Sequence, residues 1–193
     1  MDPLDEAEIG YRDFRDQAFK DGTLAGKDLS FCTFTHCVLD GCSLAGSRFE
    51  RTRFEDCAIV NIDNSGARFI DVEFERCKIV GLSLYRCDQS AFDLSFKGCK
   101  LLLCNFSDAN MKCACFRDCG LEECYFQNTF LRGADFSGAA FRQTLFNKCD
   151  LKKASFRDAR GYSIDPREND IAKCVFSAPD VLGLLDCFDI TIG

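Results

Sequence analysis

The sequence predicts an all-β fold, a parallel solenoid with four sides and about eight coils, and three observations lead there. The first is a five-residue beat. A large apolar residue recurs at every fifth place, with a small residue, usually Cys or Ala, two places before it. These centres run Phe14, Phe19, Leu24, Leu29, Phe34, Leu39, Leu44, Phe49, Phe54 and Ile59. Past Asn64 come Phe69, Phe74, Ile79 and Leu84, and past Gln89 comes Leu94; the beat resumes at Leu101 and keeps time to Phe156. Fifteen of the 20 Phe are centres and twelve of the 15 Cys stand two before one, so the beat accounts for most of both. The second observation is the period itself. Five matches neither the 3.6 of a helix nor the 2 of a flat strand, which marks a repeat architecture. A chain that turns a corner every five residues closes a four-sided coil in about twenty. The third is that centres one coil apart form a column of one type: Phe14, Phe34, Phe54, Phe74, Leu94, Phe116, Phe136, Phe156 and Phe176. This alignment requires a two-residue bulge within 95–100, where Gly98 tolerates unusual backbone angles. Stacked aromatic ladders favour parallel, in-register strands.

Residues 1–13 are acidic and only loosely on the beat. They are expected to cap the first coil, with Ile9 and Tyr11 over its open end, because an uncovered end exposes strand edges. Residues 14–176 form the coils. The polar centres Asn64 and Gln89 mark either local irregularity or side chains bonded to the corner backbone. Eight coils at ~4.8 Å rise make a rod about 40 Å long. The tail, 177–193, leaves the repeat. Pro179 suits a first helical turn, Val181, Leu182, Leu184 and Leu185 give a short helix an apolar face, and Phe188 to Ile192 alternates as a strand does. A cap of this kind leaves apolar area for a two-fold partner.

The cysteines are read as packing residues. The column Cys37, Cys57, Cys77, Cys99 and Cys119 stacks its Cβ vectors in parallel, which is poor geometry for a disulfide. Zinc needs four ligands converging on one point, and a ladder does not supply them. Buried free Cys acts as a small hydrophobe, and free thiols in this number imply a reducing cytoplasm. The chain is 47% hydrophobic without a long apolar run, so no membrane span is expected. Its acidic start, Met1 to Glu6, lacks the basic and apolar regions of a signal peptide.

With its beat of Cys or Ala, spacer and Phe or Leu, the stretch from about 12 to 176 resembles the pentapeptide-repeat proteins. That resemblance implies a right-handed quadrilateral β-helix. Tyr162-Ser163-Ile164-Asp165, Asn169-Asp170-Ile171, Phe176-Ser177-Ala178-Pro179, Leu184-Leu185-Asp186 and Phe188-Asp189-Ile190 are similar to the C-terminal end of one branch. It holds the Qnr-type quinolone-resistance proteins and their MfpA-like and AlbG-like relatives. The branch implies a tail-to-tail homodimer, here through Val181, Leu182, Leu184, Leu185, Phe188, Ile190 and Ile192. It implies DNA gyrase or topoisomerase IV as partner and mimicry of duplex DNA, with no direct nucleic-acid binding. Long projecting loops, common among Qnr proteins, are missing here, which places the chain nearer the loopless relatives.

Net charge is −7 at pH 7. Sorted by side, the Phe column carries Asp13, Asp16, Glu55, Asp56, Glu73, Glu75, Asp93, Asp118, Asp135 and Asp158 against five Arg, a net of −5. The side before it comes to about +2, with six acidic against eight basic residues. The acidic side is the candidate partner face, although DNA carries one charge per ~1.7 Å and this stripe is much sparser. Val38, Val60, Val80, Leu102 and Leu103 form an apolar outward patch beside it, either a partner surface or scattered exposure.

No catalytic constellation is found. His36 points out while Cys37 points in, so they make no nucleophile–base pair. Cys113 and Cys115 both face outward and make no site by themselves. Phosphate loops, nucleophile elbows and zinc-protease motifs are lacking. The expected protein has no enzymatic activity, cofactor or metal. It is either a DNA mimic that binds a type II topoisomerase, modulating it or protecting it from quinolones or a gyrase-directed toxin, or an interaction scaffold whose partner is unrelated to DNA.

Overall fold

The computed structural model describes residues 9–19, 24–88 and 92–191. Strands of two or three residues, with two longer ones at Arg68–Glu75 and Phe92–Lys97, alternate with corners, and the pairings are parallel. Each strand buries its central residue and turns its flanks outward, as in Thr33–Thr35 and Ala140–Arg142. Four sides result. The Phe side runs through Asp13–Arg15, Thr33–Thr35, Arg53–Glu55, Arg68–Glu75, Phe92–Lys97 and Cys115–Arg117. Bridges from Cys115 to Asp135 and Ser155 carry it on to Ser155–Phe156 and Val175–Phe176. The next side is a seven-stranded sheet from Ala18–Phe19 to Ala140–Arg142. The other two are held by fewer strands and by isolated bridges such as Asn105 to Tyr125 and Phe130 to Asp150.

The corners explain the polar spacing of the repeat. Two residues after most centres the backbone turns left-handed, as at Asp16 (φ 54°), Asp56 (52°), Asn61 (53°) and Asp118 (56°); after Leu84 a 3-10 turn, Leu84–Arg86, stands instead. Asp, Asn and Gly accept that conformation most readily, and they are frequent there. From Cys32 onward the residue two before a centre faces inward and is close to the carbonyl of the preceding coil. Thr52, Thr129 and Thr144 donate their hydroxyls to the carbonyls of Leu29, Phe106 and Leu121 at 2.9, 3.1 and 3.1 Å. Cys57, Cys99 and Cys149 donate their thiols in the same way to Phe34, Phe74 and Phe126 at 3.3, 3.3 and 3.1 Å. Cys is therefore more than a small hydrophobe here; it also satisfies a buried acceptor. Asn64, buried at a centre, donates Nδ2 to the Ser83 carbonyl at 2.9 Å, the second of the two alternatives for it. Gln89 lies outside the described residues.

The expected bulge within 95–100 is misplaced. Phe96, not Leu94, pairs with Phe74 and Phe116, and Leu94 pairs with Val72 two places before the stack. Ahead of it the register shifts between Phe92 and Leu94, while Asp88 still bonds to Ala67 in the twenty-residue frame. The added residues therefore lie between Asp88 and Leu94. Gly98 (φ 61°) is an ordinary corner, equivalent to Arg76 and Asp118. The corrected column is Phe at every level: ring centroids from Phe14 to Phe176 are 4.7–5.2 Å apart with interplanar angles of 8–18°. A second ladder, Phe106, Phe126 and Phe146, meets the first edge-on.

Both ends differ from expectation. Ile9 is fully buried and its amide donates to the Asp28 carbonyl, so the first coil already includes Ile9 and does not start at Phe14. Tyr11 does not cover the end: it projects from a corner and stacks on Phe31 at 4.6 Å. Residues 1–8 of the expected cap lie outside the described residues. At the other end, Asp180–Phe188 is a 3-10 helix, and the expected strand from Phe188 is not formed. Phe188 closes the helix, Asp189 turns left-handed (φ 51°), and this breaks the alternation before a ladder partner is reached.

Candidate interaction faces

Moving the register by two residues changes the candidate acidic face. Asp93 falls in the shifted segment, off the positions that flank a stack residue, and Lys97 takes a place beside Phe96. Nine acidic side chains then stand against six basic ones, a net of −3. Ion pairs reduce the field further. Arg53 lies between Glu55 at 3.0 Å, Glu73 at 3.9 Å and Glu75. Arg76 holds Asp56 through two hydrogen bonds of 2.9 and 3.0 Å and also reaches Glu75. Arg117 pairs with Asp135, and His36 stands 3.5 Å from Asp16 and 3.8 Å from Asp56. The Arg76 hydrogen bond holds the Asp56 carboxyl below its usual range, and the Arg53 hydrogen bond does the same for Glu75. Asp13, Asp118 and Asp158 make no ion pair among the described residues, so the unneutralised carboxylates are scattered along the rod.

Burial raises the pKa of several thiols, whereas in the stacked pairs hydrogen bonds with Cys77 and Cys104 lower those of Cys57 and Cys124. Burial pushes Cys32 and Cys37 upward, and Cys42 to about 11. All fifteen cysteines are free; Cys113 is exposed and Cys115 half-buried, both outward. Among the described residues no three His, Cys, Asp or Glu side chains are grouped to hold a metal ion. No helix among them is long and apolar enough to cross a membrane.

The tail splits the proposed dimer set. Leu184 is buried on the chain's own core, and Val181, half-buried, packs against that core as well. Leu185 is half-buried, Leu182, Phe188 and Ile190 are exposed, and Ile192 lies outside the described residues. Asp165 and Arg167 stand beside the tail. The Asp165 carboxylate accepts from the Arg167 guanidinium at 2.7 and 3.1 Å, and the Arg167 head sits 5.7 Å from the centre of the Phe188 ring. These hydrogen bonds lower the Asp165 pKa to about 2.

Eight copies of the pentapeptide repeat match the sequence, over residues 28–63, 93–128 and 119–158. The chain belongs to the pentapeptide-repeat family. The unmatched stretch between 63 and 93 contains both polar centres and the added residues, where the repeat is least regular. Among curated protein sequences none matches this pentapeptide-repeat chain. Among solved structures it is similar to a trypsin-treated variant of QnrB1, a plasmid-mediated fluoroquinolone resistance protein. The alignment covers 96% of this chain and 99% of that one at 17% identity and a TM-score of 0.72. A second trypsin-treated QnrB1 variant aligns over 95% and 99% at 16% identity, with a TM-score of 0.56. HetL of Nostoc sp. strain PCC 7120 aligns over 88% and 85% at 13% identity, with a TM-score of 0.35. What the chain shares with the two QnrB1 variants at these identities is the fold.

Two features were missed in the sequence. Tyr125 and Leu145 stack in register as exposed residues flanking the Phe126–Phe146 ladder. Phe130, off the beat by one, is also exposed. Their signal was available: a large apolar residue immediately before a centre points outward.

Proposed function

We propose that this pentapeptide-repeat protein acts in the cytoplasm as a non-catalytic DNA mimic. In this reading it binds DNA gyrase or topoisomerase IV as a tail-joined dimer, and either modulates the enzyme or protects it from quinolones or a gyrase-directed toxin. The observation that carries this reading is the tail: Leu182, Phe188 and Ile190 expose apolar surface at the end of a rod that matches QnrB1 over nearly its whole length. Two rods joined there reach about 80 Å, the length of roughly 24 base pairs at ~3.4 Å each. A two-fold rod of that size suits a two-fold enzyme. Leu182→Asp with Phe188→Asp leaves Leu184 and the coils intact, so it should give a folded monomer. Light scattering reads the mass, and inhibition of gyrase supercoiling reads the activity of the same sample. Wild-type protein that is monomeric at micromolar concentration, or a monomeric variant that inhibits as well as wild type, overturns the dimer mechanism.

The second reading, an interaction scaffold unrelated to DNA, is favoured by the Arg side chains threaded through the acidic face, which leave it a net of only −3. Wild-type protein that leaves supercoiling unchanged and does not capture gyrase would decide for it.

A further inference from the structure

On the side next to the Phe face, a groove of about 560 Å³ opens beside the column Lys78, Lys100, Gly120 and Ala140, which stand in register on successive coils. Its floor is formed by the short residues Gly120 and Ala140, with the buried Leu121 and Phe141 directly beside them. Gly120 creates much of this space, and nothing in the fold calls for glycine there. Its backbone lies outside the left-handed region, it sits in the paired strand Gly120–Glu122, and an added Cβ would meet no heavy atom within 4 Å. Glycine within a strand weakens it, and its usual justification is the close approach of a ligand or another backbone. Charge and shape at the same place point the same way. Lys78 and Lys100 are exposed, stacked one coil apart, and make no ion pair among the described residues, whereas Glu122 and Arg142 across the groove pair with each other. Like charges adjacent in a ladder repel, so two unpaired ammonium groups favour an incoming anion. The strand edge opposite the lysines carries Val80 and Leu102, with Leu103 beyond it. Leu103 is 54% exposed at φ 53°, a large aliphatic side chain in a corner conformation that favours Asp, Asn or Gly.

We propose that this groove docks a protein segment carrying one apolar side chain flanked by carboxylates. The apolar side chain enters the gap left by Gly120 and Ala140. The carboxylates pair with Lys78 and Lys100, and the aliphatic edge covers the rest of the segment. A nucleic-acid strand fits less well, because Glu122 and Glu123 flank the groove and no exposed aromatic ring lies in it to stack a base. The site is separate from the acidic face and the tail, and does not depend on a topoisomerase.

The test uses the full chain and a fluorescein-labelled peptide library of the pattern acidic, any, apolar, any, acidic, read by anisotropy. A matched library with Lys in the acidic places is the control. Acidic members should bind and basic ones should not. Gly120→Val fills the groove and should weaken binding by roughly tenfold or more while melting no lower than wild type. Lys78→Glu with Lys100→Glu, both surface changes, should reverse the preference toward the basic library. If Gly120→Val lowers the melting temperature, the charge-reversal pair alone decides. The proposal is overturned if acidic peptides bind no better than basic ones, or if a folded Gly120→Val binds as tightly as wild type. Displacement of the best peptide by an oligothymidine strand overturns it too.

Discussion

Replacing Phe96 with Ala tests the corrected register directly. Phe96 is fully buried, lies 5.0 Å from Phe74 and 5.1 Å from Phe116 as parallel plates, and meets Phe106 edge-on at 6.0 Å. Truncation removes the ring from a site walled by three others, which cannot collapse without breaking the coil spacing. Phe→Ala in such a core costs about 3–5 kcal/mol, and each lost ring pair adds ~0.5–1.5 kcal/mol beyond area. The upper part of that range is expected. In the alternative register, with Leu94 in the stack, Phe96 would face water and its loss would cost no more than about 0.5 kcal/mol. Urea denaturation of Phe96→Ala beside wild type separates the two outcomes. Hydrogen exchange adds a location: coils of a solenoid contact only their neighbours, so lost protection should centre on the amides of Arg76 and Gly98, which bond to the carbonyls of Lys97 and Arg117. A Phe96→Ala protein that unfolds within about 0.5 kcal/mol of wild type would refute the register and the stacking argument with it.

Thiol labelling of the native protein should be fast at Cys113, slower at Cys115 and very slow at Cys32, Cys37 and Cys42. All fifteen should react once the chain is denatured; a denatured, unreduced count of five or fewer would contradict the free-thiol ladder. Tyr162→Phe should hold or raise stability by roughly 1 kcal/mol, because the buried Tyr162 hydroxyl has no partner among the described residues and burial pushes its pKa to about 12. A loss of more than about 1 kcal/mol in a thermal or urea melt would show that the hydroxyl is satisfied. The tail dock should respond to acid. Asp165 has its pKa lowered from 3.8 to about 2, so its contribution is complete above 3.8 and is lost as pH falls through 2. Limited pepsin cleavage within the tail should accelerate as pH falls across that window in wild type. Asp165→Asn should cleave fast throughout; equal rates for the two proteins would remove Asp165 from the docking role.

Much of the fold can be read from the five-residue beat because each position in it has one physical role, as centre, inward small residue, strand flank or corner. The Phe column shows the limit. Phe92-Asp93-Leu94-Ser95-Phe96 alternates, so Leu94 and Phe96 both present an apolar residue in phase with one side or another. Counting forward from Leu84 selects Leu94, while counting back from Leu101 selects Phe96, and only the pairing with Phe74 decides between them. Val72 and Leu94 also break the rule that a small residue precedes the centre, and they break it together, as partners. The acidic face was harder to read. Side can be assigned from position, but whether Arg76 neutralises Asp56 depends on a reach between coils that spacing alone does not report. The tail lies outside the beat altogether, which is why a strand was expected where a 3-10 helix ends.

The displaced register also bears on how such a rod changes length. Between Asp88 and Leu94 the chain takes in two extra residues, and by Phe96 every side has regained its alignment. Near the other end Phe146 meets Ile164 after eighteen residues and Asp150 meets Asp170 after twenty, so a shortfall is recovered within the same turn. The coil behaves like a clock that is reset at each corner, so an error in one interval is not passed to the next. A globular core transmits an inserted residue to every element it packs against; this rod confines it to one edge of one rung. The Phe stack therefore runs unbroken past the level at which the chain between Asp88 and Leu94 holds two extra residues.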